Sequence, residues 1–456
     1  MIGSLVSSLR VAFVLLIADV AGIFVLFSLA YFVRVGQEIP SDSLSLVWLG
    51  AVFLVTMYVF DVYQGVLWEG RIRLVSRTAL AILAAAGLVA SLVYVIKPVE
   101  TNALYWRGVL PVGTAMFMIW AVAWRIVLAT WMRSRKPGRW LVLGYGPLAS
   151  CLWRDVSRSS GLGQLFFLKE GSQDVGSAEL PSAEGNLTAL PEFLELRWTG
   201  VILATEAAPE DATLSELMRA RLRGVRIYDL TDFYERFLFK LPILNLRDRW
   251  LTLAHGFDLL HHNIALRAKR LIDIVLSLAL IIALSPLMLI IAIVIKLESK
   301  GRVLYRQTRT GLNGVPFRLN KFRTMVEDAE SSGAKWADKN DPRITRVGRV
   351  LRNARLDELP QMWNVLLGSM SFIGPRPERP DFNCKLEAAI PYYDLRHLVK
   401  PGITGWAQVL YTYGASVDDA REKLQYDLYY IKNYSVMLDL VILIRTLRVV
   451  LVGSGR

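Results

Sequence analysis

The sequence predicts a membrane protein in three parts: an N-terminal four-helix transmembrane bundle, a central α/β domain and a mostly α C-terminal domain carried on one more membrane helix. Three observations predict it. Apolar residues make up 54% of the 456 and gather in long runs, above the ~45–50% of soluble chains. Strand-like and helix-like stretches alternate from 139 to 230. From about 300 onward the chain returns to ordinary polarity with many basic residues. At roughly 150 residues per domain, the length suits two or three domains.

Four apolar segments, about 11–33, 46–60, 79–96 and 108–131, make the bundle. A spanning helix needs ~20 residues, so the second and third are short. The first is longer than a signal-peptide core and lacks a small-residue cleavage site, so it reads as a retained anchor. Arginine placement gives orientation. Arg10, then Arg71, Arg73 and Arg77, then Arg133, Arg135, Lys136 and Arg139 flank one side; Arg34, Lys97 and Arg107 flank the other. The positive-inside rule therefore puts the N-terminus and everything after 132 in the cytoplasm. Asp19, inside the first segment, is either functional or, the favoured reading, near an interface or turned toward a neighbouring helix.

WLVLGYGPLASCLW, from Trp140, reads as a buried strand, a glycine turn and a helix start. VILATE (201–206) and VRIYDL (225–230) are further strands, with helical DATLSELMRARLR between them. Such alternation implies a parallel, Rossmann-like sheet. Gly144–Ala149 matches GxGxxA, and Glu170 ends the next apolar run. That pattern could mark a dinucleotide site, but a lone glycine fingerprint is weak, and it reads first as a tight turn that lets helix and strand pack.

A fifth run, 271–295, is long enough to span but holds Ser285-Pro286 near its middle. Proline removes one backbone hydrogen bond and kinks a helix. Basic residues at both ends (Lys269, Arg270 and Lys296) favour a re-entrant helix that leaves on the side it entered. Near the C-terminus, 434–452 reads as an interfacial helix or a core helix. These readings divide the chain into 1–132, 133–250 and 265–456.

The net charge of +13 asks for anionic surroundings: phosphates, nucleic acid or an anionic leaflet. Two cysteines, Cys151 and Cys384, and four scattered histidines exclude a disulfide framework and a zinc site. In LRNARLDELPQMWNVLLGSMSFIGPRPER (351–379), Asp357 and Glu358 are adjacent, with Arg352, Arg355, Arg376 and Arg379 around them. On a helix, adjacent side chains diverge by about 100°, so the two acids suit two roles. One can attack phosphorus while the other holds a cation, and arginines neutralise phosphate. Mg²⁺ takes one or two carboxylates plus phosphate oxygens. The structural alternative is a charged helix start, a rigid GPRP loop and a solvated KFRTM strand.

Five linked blocks carry a resemblance. They are KRLIDIVLSLALIIALSPLMLIIAIVIKLES, VLYRQTRTGLNGVPFRLNKFRTM, LDELPQMWNVLLGSMSFIGPRPE, PGITGWAQV and DLYYIKNYSVMLDL. Residues 265–450 resemble the bacterial sugar transferases, the monotopic polyprenyl-phosphate phosphoglycosyl transferases. The four N-terminal helices and the Rossmann-like domain resemble the larger members. The resemblance implies transfer of a sugar 1-phosphate from a UDP-sugar to undecaprenyl phosphate at the cytoplasmic face of the bacterial inner membrane, starting exopolysaccharide or related glycan synthesis. It implies Asp357 as nucleophile, with UMP released, and Glu358 as ligand of Mg²⁺. It puts Arg352 beside the lipid phosphate and Arg376 on substrate phosphate, with Lys321 and Arg323 lining the same basic site. Asp427 matches a structural acid, and 271–295 matches the re-entrant helix. The bilayer and a second copy of the chain, as a homodimer, complete the expected partners, with no nucleic acid among them. A glycosyltransferase releasing UDP and an inert nucleotide-sensing scaffold are the competing classes.

Overall fold

The computed structural model describes residues 4–37, 44–60, 62–63, 71–96, 108–134, 138–158, 162–170, 180–205, 209–246, 256–257, 263–326, 341–411, 414 and 416–452. Lys97, Arg107, Arg135 and Lys136, used above for orientation, lie outside them, as do Glu206 and three of the four histidines. The chain divides into two compact units, Met1–Leu238 and Phe239–Arg456.

The first unit begins with α1 (Ser4–Val35), α2 (Leu44–Val59), α3 (Arg71–Ile96) and α4 (Val109–Ser134). α1 packs on α4 and α2, and α3 packs on α2 and α4. Phe27, Phe53 and Phe117 meet edge to face at its centre, with ring centroids 5.5 and 5.9 Å apart. Phe13, Val25, Phe32, Leu80 and Ile119 stay exposed. Polar-poor helices with apolar outer faces are what a bilayer requires, because every backbone group is bonded within the helix. α1, α3 and α4 are long and apolar enough to cross a membrane; α2 is shorter. The chain is a membrane protein. Asp19 does face a neighbouring helix: Arg125 of α4 donates to both its carboxylate oxygens, at 3.0 and 2.6 Å.

The same unit holds a parallel sheet of β1 (Arg139–Leu143), β2 (Gln164–Lys169), β3 (Gly185–Asn186), β4 (Gly200–Leu203) and β5 (Ile227–Asp229). α5 (Pro147–Ser157), α6 (Leu190–Leu194), α7 (Asp211–Leu222) and α8 (Leu230–Phe233) lie between or after the strands. The strand order is β3-β2-β1-β4-β5, all parallel. From Trp140 onward β1 is an unbroken apolar run, because both its faces are covered there. Trp140 and Val142 enter one core with Phe167 and Phe233; Leu141 and Leu143 enter the other with Val201 and Leu217. The turn after β1 needs Gly144. Its φ is +119°, and a Cβ there would sit 2.4 Å from the Ala204 carbonyl oxygen.

The second unit starts with Phe239–Leu246, which lies on a later helix of the same unit. Leu241 N–H donates to the Gln425 carbonyl, and Lys240 pairs with Glu422 at 2.5 Å. The long helix α9 (Asn263–Glu298) follows. Pro286 lies inside it and cannot donate to the Ile282 carbonyl, four residues back. Ser285 Oγ donates to that carbonyl instead, at 2.8 Å. After α9 come the hairpin β6 (Leu304–Thr310) and β7 (Pro316–Phe322), then α10 (Arg346–Asn353), α11 (Gln361–Leu367), β8 (Ser371–Ile373) and α12 (Pro380–Ala389). β9 (Gly402–Thr404), α13 (Trp406–Leu410), α14 (Val417–Lys432) and α15 (Val436–Val452) complete the unit. β8 and β9 pair in parallel, which lays GPRP beside PGITG.

Both ends of α9 pack on this unit. At the N-terminal end, Lys269 pairs with Asp439 of α15 at 2.7 Å. Arg270 donates to the Val365 and Leu366 carbonyls at the end of α11. Asp273 accepts from Phe372 N–H and Ser371 Oγ. At the other end, Ile291 and Ile295 pack with Phe322 and Leu351, and Glu298 accepts from Val347 N–H. Between these anchors Val275, Leu278, Ile282, Leu289 and Ile290 are exposed.

Candidate active site

The dyad does not sit on an α-helix. Thr345 caps α10 by accepting from Gly348 N–H at 2.9 Å, and the helix ends at Asn353. Arg355 then takes a left-handed backbone, φ +58°, which turns the chain into a 3₁₀ turn over Leu356–Glu358. Positive φ is uncommon for a residue with a Cβ. A 3₁₀ turn separates successive side chains by about 120°, so Asp357 and Glu358 diverge slightly more than an α-helix would allow. Both are buried.

Glu358 is the clamped member. Its Oε1 lies 2.8 Å from Arg376 Nη2, 3.5 Å from Arg355 Nη1 and 3.6 Å from Lys321 Nζ. Burial acts to raise its pKa, but Arg376, Lys321 and Arg355 together outweigh burial and hold the carboxyl well below the usual range. Asp357 differs. Among the described residues its carboxylate takes no hydrogen bond or ion pair, and burial, with Glu358 beside it, raises its pKa. Burial also brings Lys321 down to about 8, with the Glu358 charge opposing. Each direction follows from which form the surroundings favour.

The other expected residues divide. Arg352 Nε donates to Thr324 Oγ1 of KFRTM at 2.8 Å, and its charge acts on Asp357. Arg323, expected in the basic site, is committed elsewhere. Its guanidinium donates to the Ser299 and Lys300 carbonyls and to Ser299 Oγ, at 2.7–2.9 Å. It therefore closes the C-terminal end of α9, where carbonyls lack helical partners. Arg379 lies 3.8 Å from Asp381.

Sequence reasoning missed two neighbours of Arg376. Gln408 Oε1 accepts from Arg376 Nη1 at 3.1 Å. Arg309 donates to the Pro377 carbonyl at 3.0 Å while Gln307 holds its Nε and Nη2. The signal for Gln408 was present, since it is the polar residue in the otherwise apolar WAQV. Nothing local marked Arg309 among the arginines of β6.

The donor set suits a hard divalent cation brought with phosphates. Asp357 is unengaged, and the Arg376, Arg355 and Lys321 contacts of Glu358 all fall on one oxygen. No group of three or more His, Cys, Asp or Glu gathers among the described residues, and Mg²⁺ does not require one. Four cations around two carboxylates leave the site attractive to an anion.

Fold and site thus define a membrane protein whose second unit presents an anion-attracting carboxylate dyad. The model of the bacterial sugar transferase family matches residues 264–453. A UDP-N-acetylgalactosamine-undecaprenyl-phosphate N-acetylgalactosaminephosphotransferase of Aeromonas hydrophila is 44% identical over 252 residues, 52% of this chain and 60% of that protein. UDP-glucose:undecaprenyl-phosphate glucose-1-phosphate transferases are similar too. That of Xanthomonas campestris pv. campestris is 44% identical over 45% of this chain and 42% of its own length. That of Caulobacter vibrioides is 43% identical over 43% of this chain and 74% of its own. The chain belongs to the bacterial sugar transferase family. The matches span only 60% and 42% of the first two relatives.

Proposed function

We propose that this protein transfers a sugar 1-phosphate from a UDP-sugar to undecaprenyl phosphate and so starts assembly of a cell-surface glycan. The observation that carries the proposal is the asymmetry of the dyad: an unbonded Asp357 beside a Glu358 held by Arg376, Arg355 and Lys321. An Asp357 oxygen attacks the phosphorus that bears the sugar. The bond from that phosphorus to the bridging oxygen breaks, and UMP leaves with the electron pair. The phosphosugar is then an acyl phosphate on Asp357. An oxygen of the lipid phosphate attacks the same phosphorus, the Asp357–P bond breaks, and the carboxylate returns. Neither nucleophile needs a general base, because both are already anionic. One cation cluster serves both steps. Arg376 and Lys321 hold the sugar-linked phosphate, and Arg352 meets the lipid phosphate. Glu358, through its second oxygen, would hold Mg²⁺, which would supply charge neutralisation on the diphosphate.

The membrane arrangement follows from the same reading. Both ends of α9 are anchored to one compact unit, and Pro286 with Ser285 gives the helix a place to bend. This supports a re-entrant helix that leaves the dyad at the cytoplasmic headgroup level of the inner membrane. The strand order and the Gly144 turn support a Rossmann-like central domain. Pairing of two copies stays part of the proposal.

The released nucleotide tests the reaction. Purified protein with UDP-sugar and undecaprenyl phosphate should release UMP. Release of UDP would mean sugar transfer without its phosphate, and neither product would favour a scaffold.

A further inference from the structure

Arg376 is the strongest partner of Glu358, yet it sits on a short loop, Gly374-Pro375-Arg376-Pro377. Prolines fix φ at 375 and 377 and restrict the residues before them. The loop is therefore stiff, but stiffness alone does not aim it. Its aim comes from three successive carbonyls, each accepting a hydrogen bond from a different segment. Gly402 N–H donates to Pro375 at 2.9 Å. Arg396 Nη2 donates to Arg376, also at 2.9 Å. Arg309 Nη1 donates to Pro377 at 3.0 Å.

The middle contact is the unusual one. Arg396 lies in a 3₁₀ turn, Tyr393–Leu398, with its side chain 7% exposed. Its Nη1 donates to the Tyr393 hydroxyl, and its Nη2 also reaches Asp427 of α14 at 3.0 Å. Asp427 is itself 3% exposed, and burial raises its carboxyl to about 6 despite the arginine. A buried ion pair is no reliable source of stability, since apolar replacements of similar volume are often neutral or better. What an apolar pair could not do is grip a backbone carbonyl. We propose that Arg396, held by Asp427 and Tyr393, is a positioning residue that fixes the Arg376 main chain and so delivers its guanidinium to Glu358.

This rests on the proposed function for its catalytic consequence, though not for its structural one. Two variants of the full-length protein test it. Arg396→Lys keeps a charge beside Asp427 but loses the planar fork that spans two acceptors. Arg396→Met/Asp427→Leu removes the pair and leaves no uncompensated charge. Hydrogen exchange of residues 371–379 reads the loop without reference to turnover, and melting temperature reports folding. The expected result is roughly tenfold faster exchange in both variants. UMP release should fall roughly 10- to 100-fold, as for other outer-shell partners, with the double variant melting near the unmodified protein. A well-folded double variant with unchanged exchange would overturn the proposal. So would near-normal UMP release in both variants, because Arg396 would then only neutralise Asp427. If the unmodified protein releases no UMP, the proposed function fails, and exchange alone decides the positioning role.

Discussion

Two buried clusters of opposite charge lie in different parts of this molecule, and they are built differently. In the helical bundle, Asp19 and Arg125 match one to one, both fully buried, with two short hydrogen bonds. In the second unit, Asp357 and Glu358 face Lys321, Arg352, Arg355 and Arg376, and one carboxylate is left unbonded. The first cluster is closed in charge, although Arg125 Nε has no hydrogen-bond partner among the described residues. The second carries more cation than anion, which on the proposed function a substrate phosphate would balance. Burial is common to both, so burial does not separate structure from function here; charge balance does.

The largest expected effect is at the open cluster. Asp357→Asn should lower UMP release at least about 10³-fold, the scale seen when a nucleophile is removed, while the melting temperature holds. The closed cluster should behave the opposite way. Asp19→Ala leaves Arg125 charged and unpaired, with a cost of about 3–5 kcal/mol. Asp19→Leu/Arg125→Met should recover most of it in thermal unfolding measured in detergent. A fall in turnover without loss of stability in that double variant would break the comparison.

The pH profile sharpens it further. On the proposed mechanism Asp357 attacks only when ionised, so kcat/KM should fall as pH drops through its raised pKa, above the ordinary aspartate value near 3.9. On the same mechanism Lys321 binds phosphate only when protonated, so kcat/KM should fall again as pH rises through about 8. Such profiles report the free enzyme. Lys321→Arg should remove the alkaline limb, because arginine stays charged. The smallest effect belongs to Ser285→Ala. Losing the bond that replaces the one Pro286 forbids should cost about 1 kcal/mol of stability, with UMP release per folded molecule unchanged.

Much of this was legible in the sequence because it is local. Apolar runs of spanning length, the alternation from 139 to 230 and the adjacent acids all show within one window. The glycine turn after β1 could be read from GYGP, since only the turn's own backbone matters. Arg323 was misread for a physical reason. Two positions along from Lys321, it should share its face, yet its long side chain reaches back to the end of α9. The 3₁₀ turn was also hidden, because nothing in NARLDE announces a left-handed Arg355. Arg309, Arg396 and Arg125 were out of reach. Each has a partner 20 to 106 residues away, and an arginine reads the same whether it meets a carbonyl, an acid or water.

The central claim is that Asp357 becomes covalently attached to the phosphosugar. The direct measurement is mass spectrometry of protein mixed with UDP-sugar, without lipid acceptor, and quenched under conditions that preserve acyl phosphates. The account predicts a peptide containing Asp357 heavier by one phosphosugar, lost on adding undecaprenyl phosphate. Active enzyme that releases UMP only when lipid is present, and never carries that adduct, would contradict it.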